Sequence, residues 1–559
     1  MAARAGLANR VNDSNLKWYT LGAACFGLFM AILDNLVVNI AMPTIARDLD
    51  AKTTQLQWIV SAYTLVFASL QITAGGLGDR FGRKKLFLFG LTVFTATSFA
   101  AAFSQNIEML IALRAAQGFG AAFIMPLSLS LISAAFPPEE RGKAVGIWGA
   151  ISVSGIALGP IVGGALVEYA SWHWVFLINV PIGIGALFVT SAVVRESKDE
   201  SGTVATDYAG TALITAGIAS LTWGLIEASD RGWTDPLILT AFAAAAVIGA
   251  AFIWVEAHTE RPMIPLRFFR SSTFTGANID SFMIAFLITG VSFFMTLYQQ
   301  NIHGFSPMKT GLALLPMVVV MMVLSPVTGT LTTKMGPRRL ISFGMLVTGV
   351  GTLLMLLTGV DASYWAILPS FIVMGFGMSF IWAPMTTAVL NSVESEKSGV
   401  ASAVNGALRE IGTAFGVALL GTLASRAYQG DFKTAEQVES IRQGPSGGVL
   451  APVLGLIGSG MSFGGRVIED PRTIAQLGLP ADALAQVKQA LTPEVVAGIR
   501  QASAEAFMTG MDRAVIFSGV GIMLASVLSY FLVKDAVVAK PVEEAELVPE
   551  RELVANVAD

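Results

Sequence analysis

The chain has 559 residues, 54% hydrophobic and 13% charged, with a mean hydropathy of +0.66 and a formal net charge of −4. Soluble domains carry about 25% charged residues, so this composition excludes an ordinary soluble enzyme, and the absence of any basic tail or patch excludes a nucleic-acid partner. A single cysteine, Cys25, allows no disulfide framework, and three scattered histidines (His173, His258, His303) give metal chemistry no cluster to work with.

Continuous apolar runs of helix-spanning length recur along the chain, so an all-α polytopic membrane protein is expected. The runs fall near 18–42, 56–78, 85–103, 108–135, 143–167, 174–194, 207–228, 236–256, 273–299, 309–332, 338–358, 364–390, 399–427 and 512–534, about fourteen spans. The first is too long for a signal-peptide core and is read as retained. One set of loops holds Arg80, Arg83, Lys84, Lys85, Arg141, Lys143, Arg195, Lys198, Arg261, Arg267, Arg270, Lys334, Arg338, Arg339 and Lys397; the opposite short loops hold few positives, such as Arg47, Lys52 and Arg231. The first set, and with an even count both termini, should be cytoplasmic.

Span 1 carries Asp34 within Ile32-Leu33-Asp34-Asn35. A carboxylate at membrane depth is costly and is a functional candidate by default. Asp34 lies roughly 14 Å, and Arg114 of span 4 roughly 10 Å, below the same outer face at 1.5 Å per residue, so the two can meet directly or through water. Either they form a static pair that fixes helix packing, or Asp34 is a protonation switch.

Between spans 2 and 3 stands Gly75-Gly76-Leu77-Gly78-Asp79-Arg80-Phe81-Gly82-Arg83-Lys84-Lys85. A basic turn is what topology alone would produce. The spacing of Gly75, Asp79, Arg80, Gly82, Arg83 and Lys84 nevertheless resembles the loop signature of the major facilitator superfamily. Leu113-Arg114-Ala115-Ala116-Gln117-Gly118 resembles that family's span-4 signature, whose Arg is implicated in proton coupling. In span 5, Gly155, Gly159, Pro160, Gly163 and Gly164 resemble the signature of its antiporters; physically, the glycines permit close helix approach and Pro160 removes a backbone bond. With the Asp34–Pro43 segment, Trp172–Pro181 and two extra central spans, the chain resembles the fourteen-helix drug/proton antiporter branch.

An internal repeat runs through the spans. Gly82 is echoed by Gly336 (336 − 82 = 254), Pro126 by Pro384 (384 − 126 = 258), and Gly155 and Gly159 by Gly412 and Gly416 (257 each). The second copy has Thr333 at the position of Asp79 and Val417 at that of Pro160. The expected organisation is a cytoplasmic terminus (1–17), a six-helix bundle (18–195), a linker with two extra spans (196–260), a second six-helix bundle (261–534) interrupted by a long outer excursion (429–510), and an acidic, disordered cytoplasmic tail (535–559). Within the excursion, Gly444–Gly448 reads as flexible. Ala481–Leu491 reads as a helix with Leu484, Val487 and Leu491 on one face, and Thr492-Pro493-Glu494 as a helix start.

Three further ionisable residues sit within spans: Asp280 in span 9, and Arg409 with Glu410 in span 13. Arg409 and Glu410 are about 100° apart on a helix, so at most one squarely faces a central cavity. Glu410 and Asp280 join Asp34 and Arg114 as candidates for proton handling. Phe123, Met125, Trp382, Met385 and Asn405 are candidates for a soft, adaptable cavity. The resemblance implies a proton-coupled exporter of lipophilic compounds in a bacterial cell membrane, not an enzyme, with no cofactor. Gly75, Asp79, Arg80, Gly82, Arg83, Gly155, Gly159, Pro160 and Gly164 would serve its gating, with Arg80 and Arg83 holding groups across the halves. Members exporting divalent cations tend to carry acids in spans 2 and 10; Ser61 and the acid-free run Met317–Val323 depart from that. The alternatives are a lipid or glycolipid exporter, whose 429–510 excursion could dock an envelope partner, and, more remotely, a membrane-embedded enzyme. The sequence has no phosphate-binding Gly-Lys-Ser/Thr loop for a primary pump.

Overall fold

The computed structural model describes residues 13–49, 53–198, 207–259, 262–394, 397–459 and 480–535. The termini 1–12 and 536–559, including the tail read as acidic and disordered, lie outside the described residues, as do 199–206 of the linker and 460–479 of the excursion.

Among the described residues every regular element is a helix. The first half contains α1 (Asp13–Asp48), α2 (Thr53–Phe81), α3 (Arg83–Ala101), α4 (Ile107–Ala135), α5 (Pro138–Tyr169), the short α6 (His173–Leu177) and α7 (Asn179–Val193). The inserted pair is α8 (Tyr208–Arg231) and α9 (Pro236–His258). The second half contains α10 (Ser272–Leu297), α11 (Pro307–Met335), α12 (Pro337–Leu353), α13 (Tyr364–Asn391), α14 (Ser398–Phe415) and α15 (Gly421–Thr434), then α16 (Glu436–Gln443), α17 (Gly447–Ser459), α18 (Ala481–Ala490) and α19 (Pro493–Leu532). Twelve helical segments among the described residues are long and apolar enough to cross a membrane. The helices α3 and α5 occupy the third and fifth expected places without being among those twelve, so the count of fourteen is not reached on this criterion.

Local sequence explains where the helices begin. Asn106, Asp207, Asp235, Ser271, Ser306 and Thr492 each accept a bond from a first-turn amide of α4, α8, α9, α10, α11 and α19, satisfying donors that have no intrahelical partner. Pro236, Pro307 and Pro493 occupy the first turn, where no amide is required. The breaks between α2 and α3 and between α11 and α12 fall on Gly82 (φ 114°) and Gly336 (φ 80°), a conformation that strains any residue with a Cβ.

The two halves meet along two seams, α2 against α14 and α5 against α11, and the inserted α8–α9 pair packs beside α2. Both seams depend on glycine. A Cβ on Gly75 of α2 would collide with the Gly399 carbonyl of α14, and one on Gly142 of α5 with the Gly329 carbonyl of α11. The second pair repeats the first at offsets of 254 (329 − 75) and 257 (399 − 142).

The excursion differs from its sequence reading. The stretch read as flexible leads directly into α17, whose Leu450, Val453, Leu454 and Ile457 are buried with Tyr428 and Phe432 of α15. Tyr428 donates to the Ile457 carbonyl at 3.0 Å and lies 2.9 Å from Ser503 Oγ. Burial of that apolar face outweighs the local glycines. Downstream, α18 buries Val487, and α19 starts at the Thr492 cap and runs 40 residues without a break.

Candidate functional site

Asp34 sits in the middle of α1. Ile32 and Leu36, one turn apart, meet Gly155 and Gly159 of α5, and Val37 meets Gly163. Asp34 is two residues from Ile32 and from Leu36, about 200° around the helix from each, and so points away from them, into the first half. Its Oδ2 accepts from Arg114 Nη1 at 2.5 Å, and its Oδ1 accepts from Gln117 Nε2 at 2.8 Å and Asn179 Nδ2 at 2.7 Å. Arg114 also donates to Gln117 Oε1 (2.8 Å) and, through Nε, to the Ile59 carbonyl (3.2 Å), with its guanidinium 4.4 Å from the Tyr63 ring centre. Asn179 donates further to Ser98 Oγ at 3.0 Å, and Ser98 donates to the Phe176 carbonyl at 2.9 Å. Asp34, Arg114, Gln117 and Asn179 are each 0% exposed. Five helices of one half thus converge on one neutral charge pair.

A buried pair of this kind has opposite values intact and broken. Removing one partner costs about 3–5 kcal/mol because the other charge stays uncompensated. Loss of the Asp34 charge by substitution would leave Arg114 uncompensated, and its Nη2 has no partner among the described residues. The packing of α1, α4 and α7 therefore depends on both charges being present together.

Tyr63 links this cluster to the seam. It lies on α2 beside Arg114, and α2 packs against α14, which carries Glu410. Arg409 and Glu410 lie 3.9 Å apart and keep 19% and 18% side-chain exposure. Arg409 reaches over to the first half, where Met125 Sδ accepts from its Nη2 at 2.9 Å, and its guanidinium is 5.8 Å from the Trp382 ring. Glu410, Arg409, Met125 and Trp382 therefore share one partly open region between the halves.

Other expected residues are placed differently. Asp280 is not part of this cluster. It is buried between α10 and α19 and accepts from Ser529 Oγ at 2.7 Å. Phe123 packs in the first-half core against Phe89, Phe119 and Gly90. Phe123 and Met125 are about 200° apart on α4, so both cannot face one cavity. Met385 is fully buried in the second-half core, and Asn405 is buried against α10, donating to Asn278 Oδ1 at 3.2 Å. These three do not line the open region. Helix α5 continues through 160, and the Pro160 side chain lies outside the described residues. Gly164 faces Met308 of α11.

At the seam, Asp79 crosses from one half to the other. Its Oδ1 accepts from Gly399 N at 3.1 Å and its Oδ2 from Val400 N at 3.0 Å, at the start of α14, where no side chain of α14's own cap residue bonds. A carboxylate there satisfies orphan amides and faces the positive end of the helix dipole. Arg83 Nε braces the same carboxylate at 2.8 Å from within the first half. Arg80 was expected to hold a group across the halves; instead its guanidinium lies 4.9 Å from the ring of its neighbour Phe81.

Sequence reasoning missed two acids that complete this face. Glu196, just past α7, accepts from Lys84 N (3.0 Å) and Lys85 N (3.1 Å) at the start of α3. Asp535, just past α19, accepts from Arg338 N (3.2 Å) at the start of α12. Each half thus ties its last span to its third by the same device. Gln117, Asn179, Tyr63 and Ser98 were also missed; Gln117 sits three residues from Arg114, a spacing that places it on the same helix face.

Residues 24–417 match the family model for the Major Facilitator Superfamily. The chain is 35% identical over 410 residues to the tetracenomycin C resistance and export protein of Streptomyces glaucescens, covering 73% of this chain and 76% of that one. It is 36% identical over 405 residues to the multidrug resistance protein Stp of Mycobacterium tuberculosis, covering 72% and 75%. Among solved structures, it superposes on the proton:xylose symporter XylE with a TM-score of 0.59 at 14% identity, covering 94% of this chain and 97% of that one.

Proposed function

The chain belongs to the major facilitator superfamily, and we propose that within it the protein is a proton-driven exporter of lipophilic compounds. It is a multi-pass membrane transporter and not an enzyme. The relatives' names support drug export, and the buried Asp34–Arg114 pair supports proton coupling. In this reading both termini and the Asp79 face are cytoplasmic, and the 429–510 excursion is external.

The cycle follows from two sets of contacts. With the Asp79 carboxylate seated on α14, the cytoplasmic face is closed. A proton entering from outside neutralises Asp34 and frees Arg114, and α1, α4 and α7 repack. Tyr63 passes the change to Glu410 and to the α2–α14 seam. Release of Asp79 then lets the halves rock. Substrate enters from the inner side and binds in the region of Met125, Trp382, Arg409 and Glu410. Proton release inward resets the Asp34 cluster, and the drug leaves outward.

The observation that carries this reading is the complete burial of Asp34 with its cation, within the residues that match the family. Its test is reconstitution into vesicles holding a pH-sensitive dye, with lipophilic cations and antibiotics added to wild type and Asp34→Asn. Substrate-dependent proton movement in the wild type alone supports antiport. Equal substrate movement in both, without proton flux, makes Asp34 a structural residue and the protein a facilitator.

A further inference from the structure

Two acid–base pairs lie within the helix bundles, and they are built in opposite ways. The Asp34 carboxylate accepts from three side chains and has no exposure. Arg409 and Glu410 are 3.9 Å apart, from Nε to Oε1, which is beyond hydrogen-bond reach. Among the described residues Glu410 accepts no hydrogen bond, and Arg409 donates to Met125 Sδ alone. A thioether is a weak acceptor, and a guanidinium has five donors. Both side chains keep part of their surface open.

The fold places both groups on the same gap. Gly406 of α14 meets Gln71 of α2, and Glu410 stands one turn further along that stripe. Arg409, about 100° around the helix, reaches Met125 of α4 and lies 5.8 Å from the Trp382 ring of α13. An acid and a base with unused bonding capacity, a flat indole and a polarisable thioether therefore border one partly open region. Charge decides what fits there. A ligand with a single positive charge is drawn to Glu410 and repelled by Arg409, and one with a single negative charge meets the reverse. A molecule that carries both charges gives each group a partner and leaves the region neutral. Away from bulk water, that balance counts for more than it would in solution. The apolar body of such a molecule has the Trp382 face and the Met125 sulfur to lie on.

We propose that this region selects amphoteric substrates: lipophilic compounds with an acid group held by Arg409, an amine a few bonds away held by Glu410, and an aromatic body against Trp382. The inference deepens the reading of this region as the substrate site and rests on it. Arg409 and Glu410 are then specificity residues that read the charge of a substrate, while Trp382 and Met125 accept its shape.

The test uses the purified full chain in detergent at neutral pH, with three ligands built on one ring system. Naphthylalanine carries both charges, naphthylethylamine only the amine, and naphthylpropanoic acid only the acid. Binding is read by equilibrium dialysis, with protein-free micelles as the blank. Wild type should bind naphthylalanine about tenfold or more tighter than either relative, because each relative sets a like charge against one side chain. Arg409→Gln should turn the preference toward the amine, and Glu410→Gln toward the acid. Equal binding of either relative by wild type, a folded variant that keeps the wild-type order, or no binding of any of the three overturns the proposal. The wild-type comparison needs no variant, so it decides even if a substitution prevents folding. Dialysis involves no proton gradient, so loss of the antiport reading in the vesicle assay leaves a positive result standing. Proton exchange driven by amines alone would remove this proposal and keep that reading.

Discussion

Asp34 and Arg114 are 80 residues apart in sequence and 2.5 Å apart in space, and neither has any solvent exposure. The bond joins α1 to α4, while Gln117 and Asn179 fill the other oxygen of the carboxylate. The pair must therefore be taken apart as a unit. Arg114→Gln alone should lower the melting temperature more than the double variant Asp34→Asn/Arg114→Gln, since only the single variant strands a buried charge. With about 3–5 kcal/mol at stake, the gap should exceed the error of a thermal scan. Equal melting in single and double variants would show that the two charges are not coupled.

Asp79 bonds two amides at the start of α14, across 320 residues of chain. Asp79→Asn keeps the shape and one acceptor but loses the charge-assisted bonds and the pairing with Arg83. It should insert normally and transport several-fold more slowly. Gly399 borders the same carboxylate so closely that a Cβ would collide with it, so Gly399→Ala should have the same phenotype from the opposite half. Full transport by either variant would sink the latch.

Gln71 lies on α2 between Tyr63 and Asp79, and is fully buried with neither amide atom bonded among the described residues. It faces Gly406 of α14. An unsatisfied buried polar group costs about 1–3 kcal/mol, so this arrangement of the halves is held below its possible stability. Gln71→Leu should raise the melting temperature and slow transport by trapping the closed seam. A lower melting temperature with faster transport would show that Gln71 is satisfied in this form.

Gly82 and Gly336 occupy matching positions with positive φ, each beside an acid, Glu196 or Asp535. Alanine at either should cost about 1–2 kcal/mol from the backbone alone, plus the clash with the acid. Unfolding in a mild detergent should show comparable losses for the two variants. A loss at only one would mean that the repeat does not extend to the energetics of the turn.

Much of this was readable from the sequence where depth and spacing were enough. Counting residues from the outer face put Asp34 and Arg114 at compatible depths, and the structure joins them directly. Asn179 escaped because it is an amide 145 residues from Asp34, and nothing local in an apolar run announces which residue will meet which. Phe123 was misassigned because closeness to Pro126 in sequence says nothing about helix face; the 200° between it and Met125 would have shown that one of them had to be core. Asp280 was grouped with the proton candidates on its type alone, whereas its face of α10 is turned toward α19. The excursion was misjudged for another reason. Gly447 and Gly448 announce a flexible chain locally, but the apolar residues after them gain more from packing on Tyr428 and Phe432 than the glycines cost.

The uninterrupted course of α19 has a mechanical consequence. Forty residues at 1.5 Å each make a rod about 60 Å long. One end carries Ile499 and Phe507, buried among the excursion helices, and the other carries Ser529, bonded to Asp280. A stiff rod clamped at both ends transmits tilt and cannot absorb it. Whatever leans on the excursion therefore exerts torque on the second bundle, and a rocking bundle must swing the excursion with it.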